Sequence, residues 1–170
     1  MLISLPTNEL TSPEMKRILL TFAVMLSVLA AASAQNVVIG EKLPETRFRK
    51  WLMDLQPDAA DYTCMVFYHS ESSLCRRCLD RVKTLVSKYG TKLNVIIVTK
   101  EDYDTAGVTL TEHLGDRVAV AFDDGGRTFR YFGVRFIPFC VICDRKRRAV
   151  WCGNGITLTE NITDRIITGQ

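Results

Sequence analysis

The chain alternates short hydrophobic runs with segments of helical periodicity. Residues 64–68, 93–98 and 118–122 are short apolar runs that predict buried strands. The 93–98 run is apolar at all but one position, as expected for a strand covered on both faces of a partly parallel sheet. Residues 139–143 and 149–152 predict a β-hairpin. The pattern therefore predicts an α/β fold without naming it.

The clearest helix follows the first strand. Apolar residues recur at helical spacing over residues 79–89, and Gly90 supplies a stop signal. Ser72 or Ser73 is a natural N-cap, which would place Cys75 in the first turn.

Two further helices are predicted towards the C-terminus. One occupies residues 127–132, after the turn signal of residues 123–126. The other is a terminal helix, because Thr157 and Glu160 have the spacing of a capping box. Its inward residues would be Leu158, Ile162 and Ile166.

The first 34 residues have the pattern of a targeting segment rather than of a folded domain. Lys16-Arg17, an apolar run at 18–31 and Ala32-Ser33-Ala34 form the three parts of a secretory signal. We expect a signal peptide at 15–34, translation that starts at Met15, cleavage between Ala34 and Gln35, and one domain over 35–170.

Charge adds little to this picture. The formal net charge is only +3, so nothing demands a nucleic-acid partner. The basic run 145–148 lies between the two hairpin strands and is interpreted as a solvated turn.

Candidate chemistry begins with Cys75-Arg76-Arg77-Cys78, at the start of the clearest helix. Two thiols at this spacing can close into a small disulfide ring and so carry two electrons, although the same spacing also occurs in zinc sites. The helix N-terminus stabilises an anion there, so we expect a lowered pKa for Cys75. Arg76 and Arg77 are expected to act in the same direction.

The order of these features resembles the thioredoxin superfamily. A strand, CxxC on a helix, a second strand, residues 121–126, then Phe132–Pro138 and a hydrophobic hairpin follow one another, and residues 39–44 resemble the family's entry segment. The chain is most similar to the TlpA-like or ResA-like thiol-disulfide oxidoreductases of the bacterial envelope. The resemblance implies a central mixed β-sheet flanked by helices.

The same resemblance implies roles for individual residues. Cys75 would be the exposed attacking thiol and Cys78 the thiol that resolves the mixed disulfide. Pro138 would be a cis-proline beside the active site, and Ile137 would contact the substrate chain. A substrate role for Arg76 and Arg77 is the alternative to pKa tuning.

The chain also departs from the family pattern. Leu74 stands where a tryptophan usually precedes the first cysteine, and the loop between Phe67 and Cys75 is longer than usual. His69 and Glu71 are the nearest titratable candidates for a proton acceptor, with solvated loop positions as the alternative.

Four further cysteines leave several interpretations open. Cys140 and Cys143 form a second CxxC, but residues i and i+3 of a strand face opposite sides, which disfavours a shared zinc ion. With a hairpin turn centred near residue 146, Cys140 would lie opposite Cys152, close enough to suggest a disulfide. Core packing is the alternative for these three residues and for Cys64.

We therefore expect a periplasmic or secreted thioredoxin-like protein disulfide oxidoreductase that uses its own cysteine pair, with no metal and no external cofactor. Its partners would be protein dithiols or disulfides and an envelope redox partner. A redox-inactive peptide-binding module with a static Cys75–Cys78 disulfide is the alternative from another functional class. The direction of electron flow does not follow from sequence, because about 30 mV corresponds to only about 1.4 kcal/mol.

Overall fold

The computed structural model describes Arg17 and residues 37–169. Apart from Arg17, the expected signal peptide at 15–34 and its cleavage site lie outside the described residues. None of the helices in the described part of the chain is long and apolar enough to cross a membrane.

A five-stranded mixed sheet forms the centre of the domain. The strands are β1 (Tyr62–Tyr68), β2 (Leu93–Thr99), β3 (Val118–Phe122), β4 (Phe139–Asp144) and β5 (Ala149–Asn154), in the order β3-β2-β1-β4-β5. The pairs β1–β2 and β2–β3 are parallel, whereas β4 is antiparallel to both β1 and β5. The predicted mixed sheet is thereby confirmed.

Helices connect and flank these strands. They are α1 (Ser73–Tyr89), α2 (Tyr103–Leu110), α3 (Arg127–Tyr131) and α4 (Glu160–Thr168), with short 3₁₀ turns at Leu52–Asp54, Gly90–Lys92, Thr111–His113 and Gly155–Thr157. The sequence pattern predicted α1, α3 and α4 but did not identify α2.

The start and end of α1 follow from its sequence. The Ser72 hydroxyl caps the helix by accepting from the Cys75 backbone N–H, and Gly90 ends it with a φ of 53°. The buried residues of the helix are Cys75, Cys78, Leu79, Val82, Leu85 and Tyr89. Their spacing gives one apolar stripe against the sheet, so the cysteines enter the core with that stripe.

Alternating strand residues divide the core between the two faces of the sheet. One face, the α1 face, packs Val66 and Cys140 against α1. The other, the α3 face, packs Phe67 and Cys143 with Phe129. Residues Cys140 and Cys143 therefore lie on opposite faces, as the period of a strand predicts.

The β4–β5 register differs from the prediction. Cys143 pairs with Ala149 as expected, but an irregularity at Ile142/Cys143 shifts the rest of the ladder. Cys152 consequently lies opposite Val141, and Gly153 takes its place opposite Cys140. A one-residue shift moves a side chain to the other face. The predicted proximity of Cys140 and Cys152 is therefore wrong, and the suggested disulfide between them falls with it.

The terminal helix also begins later than the capping-box spacing indicated. Thr157 lies in a 3₁₀ turn, and Thr159 is the N-cap of α4, with no side-chain cap hydrogen bond. Leu158 is buried, while Ile162 and Ile166 pack against the core from partly buried positions.

The entry segment lies beside the start of β5. The Gly40 N–H donates to the Ala149 carbonyl at 2.7 Å, and the Leu43 N–H donates to the Arg147 carbonyl at 2.7 Å. Arg148 Nη1 donates to the Gly40 carbonyl at 3.3 Å. The basic run 145–148 is therefore not only a solvated turn. Its last two residues, Arg147 and Arg148, also hydrogen-bond to the entry segment at residues 39–44.

Asp123 gives a direct test of the loop that joins β3 to α3. Its buried carboxylate accepts from the backbone N–H groups of Thr128 at 3.1 Å and Phe129 at 2.9 Å. We expect Asp123→Ala to lower the free energy of unfolding by about 1–3 kcal/mol, because two buried donors lose their acceptor. Urea denaturation measures the change. Asp124→Ala is the matched control at an exposed neighbour, and an equal loss in both variants would contradict this role.

Candidate functional site

Both cysteines of the CxxC motif lie in the first turns of α1, directly after the loop that follows β1. All six cysteines are free thiols in the structure, so the pair is present as a dithiol. The Cys75 N–H donates to the Ser72 hydroxyl at 3.3 Å, which fixes the first turn. The predicted placement of Cys75 near the helix N-terminus is confirmed.

The surroundings of Cys75 differ from the prediction. Its side chain is 0% exposed, so it is not the exposed thiol that the family resemblance implied. Burial raises the pKa of Cys75 above its ordinary value, and this effect outweighs the hydrogen bonds from Ser72 and from the His69 backbone. The expectation of a lowered Cys75 pKa is therefore wrong, because desolvation of the thiolate dominates over the helix terminus.

The two arginines inside the motif lie on the solvent side of α1. The Arg76 guanidinium donates to the Ser70 carbonyl, which holds the preceding loop against the helix. Neither Arg76 nor Arg77 is among the largest contributions to the pKa of Cys75. Both side chains are exposed to solvent.

Cys78 is fully buried in the core. Its sulfur is 3.9 Å from the Cys140 sulfur, across the interface between α1 and β4. The hydrogen bond from Cys140 lowers the pKa of Cys78, with a smaller contribution from the positive charge of Arg81, while burial opposes both. Cys78, rather than Cys75, is therefore the more easily ionised thiol of the pair.

Cys140 links Cys78 to a further sulfur. Contacts with the thiols of Cys64 and Cys78, together with complete burial, raise the pKa of Cys140 well above its ordinary value. The sulfurs of Cys78 and Cys140 share one hydrogen bond, for which either thiol can be the donor. We refer to Cys64, Cys78 and Cys140 as the thiol cluster.

Pro138 follows a cis peptide bond, as the family resemblance implied, and its ring is buried. Its carbonyl accepts from the Gly155 N–H at 2.9 Å. A Cβ added at Gly155 would lie 2.5 Å from the Cys78 sulfur, 2.7 Å from the Cys140 sulfur and 3.4 Å from Pro138 Cβ. Pro138 and the two thiols thus pack around Gly155 so closely that only a residue without a Cβ fits there.

A buried carboxylate lies under the loop before α1. Glu101, just after β2, accepts from the Ser70 N–H at 3.0 Å and from the Thr99 hydroxyl at 3.0 Å. Its negative charge contributes to the raised pKa of Cys75. His69 Nδ1 lies 3.5 Å from the Glu101 carboxylate, whereas Glu71 is exposed. Of the two residues proposed as proton acceptors, only His69 thus contacts the buried carboxylate.

Apolar side chains are exposed in the segments that flank the thiols. Leu74, immediately before the motif, is 41% exposed, and Phe136, shortly before the cis-proline, is 48% exposed. Ile137 is half-buried and packs against both core clusters.

Sequence reasoning missed Cys140, Gly155 and Glu101 as members of the site. Cys140 is two positions after Pro138, and residues two apart in a strand share a face, which is a usable signal. Glu101 could have been placed from the parallel pairing of β1 and β2, since the carboxyl ends of parallel strands meet at one edge. Nothing in the local sequence marks Gly155. Across residues 37–169, no group of three or more His, Cys, Asp or Glu side chains is arranged to hold a metal ion.

Comparisons with known proteins bear on the fold. No protein-family model matches the chain, and no curated protein matches its sequence. A solved structure of a thioredoxin-like protein in the oxidized form is similar, with a TM-score of 0.64, 19% identity, and coverage of 76% of this chain and 97% of that chain.

Two further solved structures are similar. A candidate thiol:disulfide interchange protein DsbE from Chlorobium tepidum gives a TM-score of 0.61 at 20% identity, over 78% of this chain and 98% of that chain. A candidate protein disulfide isomerase from Bacteroides thetaiotaomicron gives 0.59 at 17% identity, over 78% and 87%. At these identities the similarity shows the fold, and the domain described here is thioredoxin-like.

Proposed function

We propose that this protein is a thiol-disulfide oxidoreductase that acts through Cys75 and Cys78. The observation that carries the proposal is the packing of Cys78, from the start of α1, and the cis-proline Pro138 around Gly155, which follows β5. A fold alone does not imply an activity, but a dithiol placed beside a cis-proline is a chemical site. The similar structures of candidate disulfide-exchange proteins support the same reaction class.

The reaction follows from thiol-disulfide exchange. The Cys75 thiolate attacks a substrate disulfide and forms a mixed disulfide, and one substrate sulfur leaves as a thiolate. The Cys78 thiolate then attacks Cys75 Sγ, which releases the second substrate sulfur and leaves a Cys75–Cys78 disulfide. The lowered pKa of Cys78 favours this second step, since the resolving group is ionised more readily.

Access to Cys75 requires a local movement, because its side chain is 0% exposed. We propose that the loop at 69–72 moves, because this loop contacts Cys75 directly. The His69 backbone and the Ser72 side chain both form hydrogen bonds with Cys75. An incoming substrate would pack against Leu74, Phe136 and Ile137 and lie along Pro138. Arg76 and Arg77 would contact the same partner from the solvent side.

The cell envelope is the proposed compartment. The sequence pattern at 15–34 predicts export, and one similar structure is a candidate DsbE. Envelope proteins with dithiols or disulfides are the proposed substrates, with an envelope redox partner to restore the pair. The resemblance to TlpA-like and ResA-like proteins belongs to this proposal.

The burial of Cys75 favours a second candidate, a redox-inactive peptide-binding module. In that case Cys75 and Cys78 would form a static disulfide and Pro138 would line a peptide groove. The reduction potential separates the two functions. Working thioredoxin-type catalysts lie at about −270 to −120 mV, and structural bridges lie below about −300 mV.

Turnover of a disulfide-containing protein such as insulin, with dithiothreitol as reductant, tests the proposed function. We expect Cys75→Ser and Cys78→Ser each to abolish the catalysed rate, because each removes one sulfur of the exchange. Cys152→Ser is the matched control, since its side chain belongs to the α3 face and should leave the rate unchanged. Equal rates in all three variants would show that the CxxC pair takes no part in the reaction.

The pH dependence of Cys75 alkylation tests the electrostatics of the site. Because burial raises the Cys75 pKa above its ordinary value, the alkylation rate by iodoacetamide should still increase beyond about pH 8.5, where a free thiol is half ionised, by about tenfold per pH unit below the pKa. We expect Arg76→Gln/Arg77→Gln to leave this profile unchanged. Peptide mass spectrometry follows the labelled residue. A plateau near pH 7 that moves upward in the double variant would instead show that the arginines tune the thiol.

Gly155→Ala tests the packing that defines the site. The new methyl group would lie 2.5 Å from the Cys78 sulfur, so the neighbouring backbone or sulfurs must shift. We expect a loss of about 1–3 kcal/mol in the free energy of unfolding, typical of an overpacked core. Denaturant unfolding measures it. In the matched control, Gly125→Ala, the added methyl group meets no atom within 4 Å, and a similar loss there would refute the packing argument.

A further inference from the structure

We infer that Cys140 is a third redox-active thiol, which exchanges with the Cys75–Cys78 disulfide to form an internal Cys78–Cys140 disulfide. This inference rests on the proposed function and extends it, because it gives Cys78 two alternative disulfide partners. The motif contributes one of them, and β4 contributes the other.

The geometry places the two sulfurs within reach of each other. Cys78 Sγ and Cys140 Sγ are 3.9 Å apart, and both pack directly against Gly155, where a Cβ would lie 2.5 Å and 2.7 Å from them. A disulfide needs an S–S distance of about 2.05 Å, so side-chain rotation must bring the sulfurs about 2 Å closer. Gly155 carries no side chain that would block this approach.

The chemical environment also favours this pair over the other cysteines. The Cys78 and Cys140 sulfurs are already in contact at 3.9 Å, and the hydrogen bond between them lowers the pKa of Cys78. Cys143 and Cys152 belong to the core cluster of the opposite face of the sheet. Cys64 contacts Cys140 but does not belong to α1, where the redox motif lies.

The exchange step balances without an added oxidant. Cys140, after loss of its proton, attacks Cys78 Sγ, and the Cys75–Cys78 bond breaks as the Cys78–Cys140 bond forms. Cys75 leaves as a thiolate and takes up a proton equivalent to the one that Cys140 released. The protein stays at the same oxidation level, and Cys75 returns as a single thiol without its resolving partner.

This step would change what the oxidised protein can do. With Cys78 held by Cys140, a mixed disulfide between Cys75 and a substrate cannot be resolved by Cys78. It must instead be resolved by another thiol of the substrate, which is the exchange pattern of disulfide isomerisation. The thiol cluster would thereby give one domain two modes of disulfide exchange. One mode uses Cys75 and Cys78, and the other uses Cys75 alone.

Disulfide mapping of the Cys75→Ser variant tests the inference. The purified protein is oxidised with diamide, which takes two electrons and two protons from a thiol pair, and is then digested without reduction. We expect a peptide pair linked through Cys78 and Cys140 and a loss of two free thiols per chain. Cys75→Ser/Cys140→Ser should lose the linked pair, whereas the matched control Cys75→Ser/Cys152→Ser should retain it.

The outcomes separate this inference from the proposed function. If wild type forms the Cys75–Cys78 disulfide but Cys75→Ser forms no Cys78–Cys140 link, Cys140 is not redox-active and the inference is overturned. A Cys64–Cys140 link in its place overturns it equally. If wild type itself forms no Cys75–Cys78 disulfide, the proposed function fails. Near-UV circular dichroism of each variant establishes that it is folded, and Cys140→Ala provides a second replacement where serine disturbs the core.

Discussion

The contact between the sulfurs of Cys78 on α1 and Cys140 on β4 is the constraint on which the rest of the site depends. Cys78 and Cys140 meet at 3.9 Å, and the absence of a side chain at Gly155 makes that approach possible. The hydrogen bond between Gly155 and Pro138 fixes the same point from the backbone. The start of α1, the cis-proline and the thiol whose pKa is lowered therefore meet in one packing arrangement.

Burial and helix electrostatics oppose each other at the two thiols of the motif. The helix N-terminus favours a thiolate at Cys75, but removal of that thiolate from water costs more, so its pKa is raised. At Cys78 a direct hydrogen bond from a neighbouring thiol reverses the balance, and the pKa is lowered. The same motif thus holds two sulfurs of opposite character, and the first must be uncovered before it can react.

The sequence predicted the elements better than their contacts. Periodicity and capping identify α1 from Ser72 to Gly90 because these signals are local. The prediction that Cys140 lies opposite Cys152 was wrong, because the irregularity at Ile142/Cys143 is set by packing between strands rather than by either strand alone. The burial of Cys75 depends in the same way on the loop before α1, whose conformation residue patterns do not specify.

The division of the cysteines between the two faces has a consequence for which disulfides can form. Cys64, Cys78 and Cys140 belong to one core cluster, whereas Cys143 and Cys152 belong to the other, with the hydrogen-bonded sheet between them. Exchange between the two sets would require the strands to separate, which costs much of the folding free energy. The sheet therefore separates the two sets of thiols and opposes disulfide formation between them.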